Sequence, residues 1–238
     1  MQFLDNLSEE LSENQPFQWM IKGCINNVTK PFVRVSNRDE LFQKLIDADL
    51  SKVAHETTRR MMDELPTQID DINVYIFPSI KSGGGACFAP GNIISTIPCD
   101  ELAPLYLKRN IAHEYSHTIR MIQKPQETAH GFGESVPYSM RDYLAFEGLA
   151  MVLSESLYPH EALTPYEVSF EDETKFWEAT DLDVVGMSAY VKYMTMRAYE
   201  ISSRIVKSYL HVNKVSIIEA HSKTDEEIYW KSDYPHIR

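Results

Sequence analysis

The sequence has no apolar run that approaches the ~18–20 residues needed to cross a bilayer. Its opening segment, MQFLDNLSEELSENQ, lacks the basic start and the apolar stretch of a secretory signal peptide. Only three cysteines are present, and this odd, sparse set fits free thiols in a reducing compartment better than a disulfide framework. Together these absences predict a soluble, cytoplasmic protein.

Positive charge is also scarce. The chain has 23 Lys and Arg against 35 Asp and Glu, which gives a net charge of −12. Such an acidic chain is a poor match for nucleic acid or for an anionic membrane, whereas it remains compatible with a peptide or protein partner. The 238 residues, 43% of them hydrophobic, suffice for a real core. We predict one domain over 1–238, with an α/β part at about 1–122 and a helical part at about 123–238.

Hydrophobic periodicity predicts an α+β fold, in which a small sheet is followed by a mainly helical second half. The predicted strands span 73–78, 86–89 and 92–97, and the last two form a hairpin around Pro90-Gly91-Asn92. The predicted helices span 2–13, 38–64 with a break near 47–51, 103–122, 138–157, 172–178, 183–211 and 224–230.

The segment IAHEYSH, residues 111–117, lies within one of these helices. An apolar residue recurs at every fourth position and forms a single stripe, made of Leu107, Ile111, Tyr115 and Ile119. His113 and His117 then share the opposite face, one turn apart, at a spacing that lets two imidazoles bind one tetrahedral ion. Glu114 lies about 100° around the helix from His113. It is placed to take a proton from a water on the open side of such an ion.

The segment that starts at His55-Glu56 begins like this motif but lacks the second histidine, so we interpret it as an ordinary helix surface. Whether the complete motif is a catalytic site depends on a third ligand, because a catalytic zinc keeps three protein ligands and one open position. In the extended form of this motif the third ligand is a histidine six residues after the second one, but position 123 of this sequence is Gln123, so a third ligand of that kind is excluded.

Glu147 is the leading candidate for the third ligand, because it lies in a following helix among apolar residues where an unpaired carboxylate is costly. Its alternative is a simple ion pair with Arg120 or Arg141. Gly148 and Ala150 beside it would let this helix pack closely on the histidine helix. Weaker candidates for the third ligand are Asp142, Glu155, Glu134 and His130. Asp142 is also a candidate partner for the second nitrogen of a ligating histidine.

The sequence resembles gluzincin-type metalloproteases, in which HExxH is followed about 30 residues later by a glutamate. More closely, IAHEYSHTIR, EGLA at 147–150 and YEISSRIVKSYL at 199–210 are similar to a bacterial family of predicted zinc-dependent proteases. Ser202 stands where that family usually has glycine. The resemblance covers about residues 70–232 and implies one zinc bound by His113, His117 and Glu147, with Glu114 as general base. It implies a zincin-like fold, in which a small mixed or antiparallel sheet packs on the histidine helix and a helical lobe follows.

Peptide hydrolysis also needs a hydrogen-bond donor for the oxyanion. In the late motif that donor would be Tyr199, with Tyr190 and Tyr193 nearby on the same predicted helix. Arg120 would hold Glu147 or a substrate carboxylate, or it would lie on the helix surface. The strand pair at 86–97 would offer an edge to an extended peptide substrate, or it would be a plain core hairpin.

Two other functions fit parts of this pattern. One is a non-catalytic zinc protein acting in regulation or partner binding, which would have no need of Glu114 as a base. The other is a different HExxH hydrolase, such as a deformylase, that uses Cys87 or Cys99 as its third ligand.

Overall fold

A computed structural model describes residues 16–80, 83–123, 138–160 and 167–235. The helix predicted at 2–13 lies outside these residues, as do His130 and Glu134. The chain divides into two compact units, Met1–Thr118 and Ile119–Arg238, and the division falls within the helix that carries the histidine motif. The prediction of a single domain stays a prediction.

The described part of the first unit starts at residue 16 with helical segments that the sequence did not predict. Helix α1, Pro16–Cys24, runs through a π-helical turn, Ile25–Thr29, into the short α2, Lys30–Val33. Helices α3, Arg38–Asp47, and α4, Leu50–Glu64, then follow with the predicted break between them. Asp49 makes this break: it has a positive φ of 46°, and its carboxylate accepts a hydrogen bond from the Lys52 amide at 3.3 Å.

A three-stranded sheet follows, with the strand order β1-β3-β2. Strands β1, Asn73–Ser79, and β3, Asn92–Pro98, are parallel, whereas β2, Gly84–Ala89, pairs antiparallel with β3 as the predicted hairpin. The hairpin turn uses Gly91 at a φ of 77°, a conformation that glycine adopts without strain. The central strand β3 is largely buried, as expected for a strand with a neighbour on each side.

Helix α5, Ala103–Gln123, carries the histidine motif. Its predicted apolar stripe is buried, and the Tyr115 hydroxyl donates to the Leu65 carbonyl at the end of α4, at 2.8 Å. On another side of α5, the Asn110 side chain donates to the Gly84 carbonyl and to the Ser95 hydroxyl, both at 2.9 Å. Hydrogen bonds from one amide therefore hold α5 to both strands of the hairpin.

The second unit is helical in all its described elements: α6 (Met140–Leu157), α7 (Phe170–Ala179), α8 (Met187–Tyr193), α9 (Met196–Asn213), α10 (Ile217–Ala220) and α11 (Asp225–Trp230). Ser139 and Asp142 form a capping box at the start of α6, which is buried along most of its length. The prediction of one helix over 183–211 is wrong, because Met194 and Thr195 separate α8 from α9. The fold is α+β, with a small mixed sheet and mostly helical content.

Helices α6 and α9 approach each other closely at Gly148. A Cβ built there would lie 2.3 Å from the Ser202 carbonyl oxygen and 2.7 Å from a methyl of Val206. The sequence predicted that Gly148 would allow close packing on the histidine helix, but the atoms nearest to it belong to α9. The prediction missed this because spacing shows that a small residue permits close packing without identifying the neighbour.

We expect Gly148→Ala to lower the free energy of unfolding by about 3 kcal/mol, since overpacking against a backbone carbonyl cannot be relieved by a rotamer change. Gly23→Ala is the matched control, because a Cβ there meets no atom within 4 Å. On helix propensity, the control should raise stability by about 0.5–1 kcal/mol. Urea denaturation of both variants measures the difference, and equal stabilities would contradict the close approach.

Among the described residues, no helix is both long enough and apolar enough to span a bilayer.

Candidate metal centre

Two imidazoles meet on one face of α5. The Nε2 atoms of His113 and His117 lie 3.1 Å apart, and the rings are nearly perpendicular, with centroids 4.8 Å apart. Two nitrogens bound at about 2.0–2.1 Å to one tetrahedral ion would lie about 3.3 Å from each other. The pair therefore already has nearly the spacing that a single zinc ion requires, as the i, i+4 relation predicts.

Glu114 is buried beside this pair, with 4% of its surface exposed. Its side chain lies against the edge of strand β2: a Cβ built on Gly85 would be 2.6 Å from Glu114 Oε1 and 2.9 Å from its Cγ. The glycine-rich stretch thus leaves space for this carboxylate. The family resemblance implied a small sheet packed on the histidine helix, but it did not identify the glycine that Glu114 would contact.

Glu147 lies in the middle of α6 and is 3% exposed. The hydroxyl of Tyr190, on α8, donates a hydrogen bond to Glu147 Oε1 at 3.0 Å. Tyr190 in turn lies 2.6 Å, oxygen to oxygen, from the hydroxyl of Tyr199 on α9. Burial, followed by the negative charge of Glu147, raises the pKa of Tyr190, so its hydroxyl keeps its proton and acts as a donor.

The two arginines that the sequence suggested as partners of Glu147 form hydrogen bonds and ion pairs with other residues. Arg120 is 1% exposed, donates to the carbonyls of His221 and Lys223, and pairs with buried Asp225 at 2.6 Å. The interpretation of Arg120 as a helix-surface residue is therefore wrong. Arg141 pairs with Asp183.

The weaker candidates among the described residues also have structural roles. Asp142 accepts hydrogen bonds from the Ser139 amide and hydroxyl in the capping box, at 2.8 and 2.7 Å. Glu155 pairs with Lys207 at 2.8 Å.

Cys87 is a buried thiol on β2, 3.3 Å from both the Thr118 hydroxyl and the Ala89 carbonyl. Burial raises the pKa of Cys87 to about 12, and the nearby charge of Glu114 adds to this effect. A thiol that resists ionisation is a poor metal ligand, because the thiolate is the form that binds metal. This environment disfavours the deformylase-type alternative for Cys87. The pKa of Cys99 is also raised by burial.

His113 and His117 in the first unit offer two imidazoles as metal ligands, and Glu147 in the second unit offers one carboxylate. These are ligand types that zinc accepts in catalytic sites. Tyr190, the hydrogen-bond donor to Glu147, was not assigned this role from the sequence. It was noted only as a neighbour of Tyr199, since a contact across 43 residues leaves no local signal.

A helical HExxH histidine pair with an adjacent buried glutamate is the arrangement of metal-dependent hydrolases. The chain belongs to the family described as predicted Zn-dependent protease (DUF2268), whose model matches residues 50–229. This confirms the resemblance seen in the sequence. No curated protein and no solved structure matches the chain.

Proposed function

We propose that this protein is a zinc-dependent peptidase of the gluzincin type with a zincin-like fold, in which His113, His117 and Glu147 bind one zinc ion. The observation that carries the proposal is the 3.1 Å separation of the two Nε2 atoms next to the buried Glu114. Membership of a family of predicted Zn-dependent proteases supports the same reaction.

Zinc, when bound, would lower the pKa of a coordinated water towards ~7 and polarise the carbonyl of the scissile bond. Glu114 would then accept the proton of the attacking water and pass it to the leaving amine. Its burial beside β2 supports this role, because a base that is shielded from bulk water and held in one place transfers protons efficiently. Tyr199 remains a proposed donor to the oxyanion.

The substrate in this proposal is an extended peptide, and strand β2 would receive it. β2 is an outer strand of the described sheet and passes directly beside Glu114 at Gly85. A peptide that adds to an outer strand is held by main-chain hydrogen bonds, which position the scissile bond independently of its sequence.

Metal analysis with a hydrolysis assay tests the proposal. We expect about one zinc per purified chain and hydrolysis of unfolded casein that a chelator abolishes and added zinc restores. His113→Ala should lose most of the zinc. His55→Ala is its matched control, since His55 also precedes a glutamate on a helix but is exposed. A zinc-free wild type, or equal zinc in the two variants, would contradict the proposed site.

The position of Glu114 gives a second test. Gly85→Ala should lower kcat by about 10²-fold, since the new methyl displaces the carboxylate by an ångström or so. Zinc content should not change. Gly23→Ala is the control, because a Cβ there meets no atom within 4 Å and Gly23 lies outside the strand proposed to receive the substrate. Steady-state kinetics compare the two variants, and equal kcat values would argue against Glu114 as the base.

A further inference from the structure

A directed chain of hydrogen bonds leads to Glu147. An ionised carboxylate only accepts hydrogen bonds, so Tyr190 must donate its single proton to Glu147 Oε1, 3.0 Å away. In the 2.6 Å hydrogen bond between the hydroxyls of Tyr190 and Tyr199, Tyr199 must then be the donor and Tyr190 the acceptor. The proton order is therefore fixed as Tyr199 to Tyr190 to Glu147.

We propose that Tyr190 is a positioning residue for the metal-binding carboxylate of Glu147, and that Tyr199 in turn orders Tyr190. The inference rests on the proposed function, because it assumes that Glu147 is a zinc ligand. Carboxylates that bind metals are themselves usually hydrogen-bonded. Such outer partners fix the orientation of the ligand and raise affinity by reducing the freedom that is lost on binding.

The backbone around Tyr190 is suited to this role. Segment 184–186 pairs antiparallel with the start of α6: the Met140 amide donates to the Val184 carbonyl, and the Gly186 amide donates to the Tyr138 carbonyl, both at 3.0 Å. Gly186, at a φ of 91°, then turns the chain into α8. The hydroxyl of Tyr190 is thereby held beside the helix that carries Glu147.

Side-chain packing adds to this restraint. The ring of Tyr143, one turn before Glu147 on α6, meets the ring of Tyr190 edge to face at a centroid distance of 5.0 Å. Tyr199 projects from α9, the helix that Gly148 lets approach α6. The two tyrosine hydroxyls thus link α8 and α9 to Glu147 on α6, and both of these helices also contact α6 directly.

This arrangement separates two roles for Tyr199. As an oxyanion donor, Tyr199 would have to withdraw its proton from Tyr190 in each catalytic cycle, and its removal would act on kcat without changing zinc affinity. As the outer member of the positioning chain, its removal weakens zinc binding, by less than the removal of Tyr190.

Zinc dissociation constants measured by chelator competition test the inference. We expect Tyr190→Phe to weaken zinc binding about 10- to 100-fold, in a zinc-free protein that remains folded, as its circular dichroism spectrum would show. Tyr193→Phe is the matched control, because it also removes a tyrosine hydroxyl from α8. The ring of Tyr193 lies near Lys192, and this variant should bind zinc as tightly as the wild type does. In a Glu147→Gln background, Tyr190→Phe should have little further effect, since the two residues act as one unit.

The outcomes distinguish this inference from the proposed function. Wild-type affinity in Tyr190→Phe together with weak binding in Glu147→Gln would overturn the inference alone. An equal loss from Tyr190→Phe in both backgrounds would also overturn it, because Tyr190 would then not act through Glu147. Wild-type affinity in Glu147→Gln would overturn the ligand assignment and the inference together.

Discussion

Glu114→Gln is expected to keep the zinc of the wild type while kcat falls by about 10²- to 10⁴-fold, the contribution of a well-placed general base. Glutamine has nearly the same shape as glutamate, so it fits the space against Gly85 that the carboxylate occupies. It cannot accept a proton from water at neutral pH, and the reaction loses its base although the metal site is intact. Metal analysis and steady-state kinetics on the same preparation measure both quantities.

Glu56→Gln is the control for this experiment. Glu56 also follows a histidine on a helix, but it is exposed and pairs only loosely with Lys52, at 3.9 Å. Its substitution should leave both zinc and kcat unchanged. Unchanged hydrolysis in Glu114→Gln would refute its role as base. If the wild type and the Glu56→Gln control bind zinc but neither of them hydrolyses peptides, the alternative of a non-catalytic zinc protein gains support.

Glu147→Ala has the second large expected effect, a marked loss of bound zinc. Two imidazoles alone leave a tetrahedral ion with one protein ligand fewer than catalytic zinc sites provide. Removing the buried carboxylate also leaves the Tyr190 hydroxyl without its acceptor. We therefore expect substoichiometric zinc after dialysis and no measurable hydrolysis.

Glu155→Ala is the matched control, since Glu155 lies on the same helix and forms an ion pair with Lys207. It should retain about one zinc per chain, as a residue outside the ligand set. Full zinc occupancy in Glu147→Ala would eliminate the proposed third ligand and leave the histidine pair in need of another.

Elements with strong local patterns were predictable from the sequence. The apolar stripe through Ile111 and Tyr115 predicted α5 and, with it, the face shared by the two histidines. Turn residues at Pro90-Gly91-Asn92 predicted the hairpin of β2 and β3. In both cases the signal lies within a few residues of the structure that it specifies.

Features that depend on distant partners were not predictable in this way. Arg120 meets Asp225 across 105 residues, and the sequence offered no reason to prefer that carboxylate over others. Helix α8 begins only at residue 187, because Val184 and Val185 are β-branched residues in a segment that pairs with the beginning of α6, and Gly186 has a φ of 91°. The prediction of a helix from residue 183 gave these poor helix formers too little weight. The break before α9 contains neither proline nor glycine, and its N-cap residue Thr195 makes no side-chain capping hydrogen bond, so the local signal for this break is weak.

The contact between Gly148 and Ser202 constrains its two partners unequally. The atom that a side chain at 148 would strike is the main-chain oxygen of residue 202, which every amino acid carries. The Ser202 hydroxyl instead turns back to the Ala198 carbonyl, at 2.6 Å. A saturation mutagenesis library should therefore recover almost only glycine at 148 but several small residues at 202.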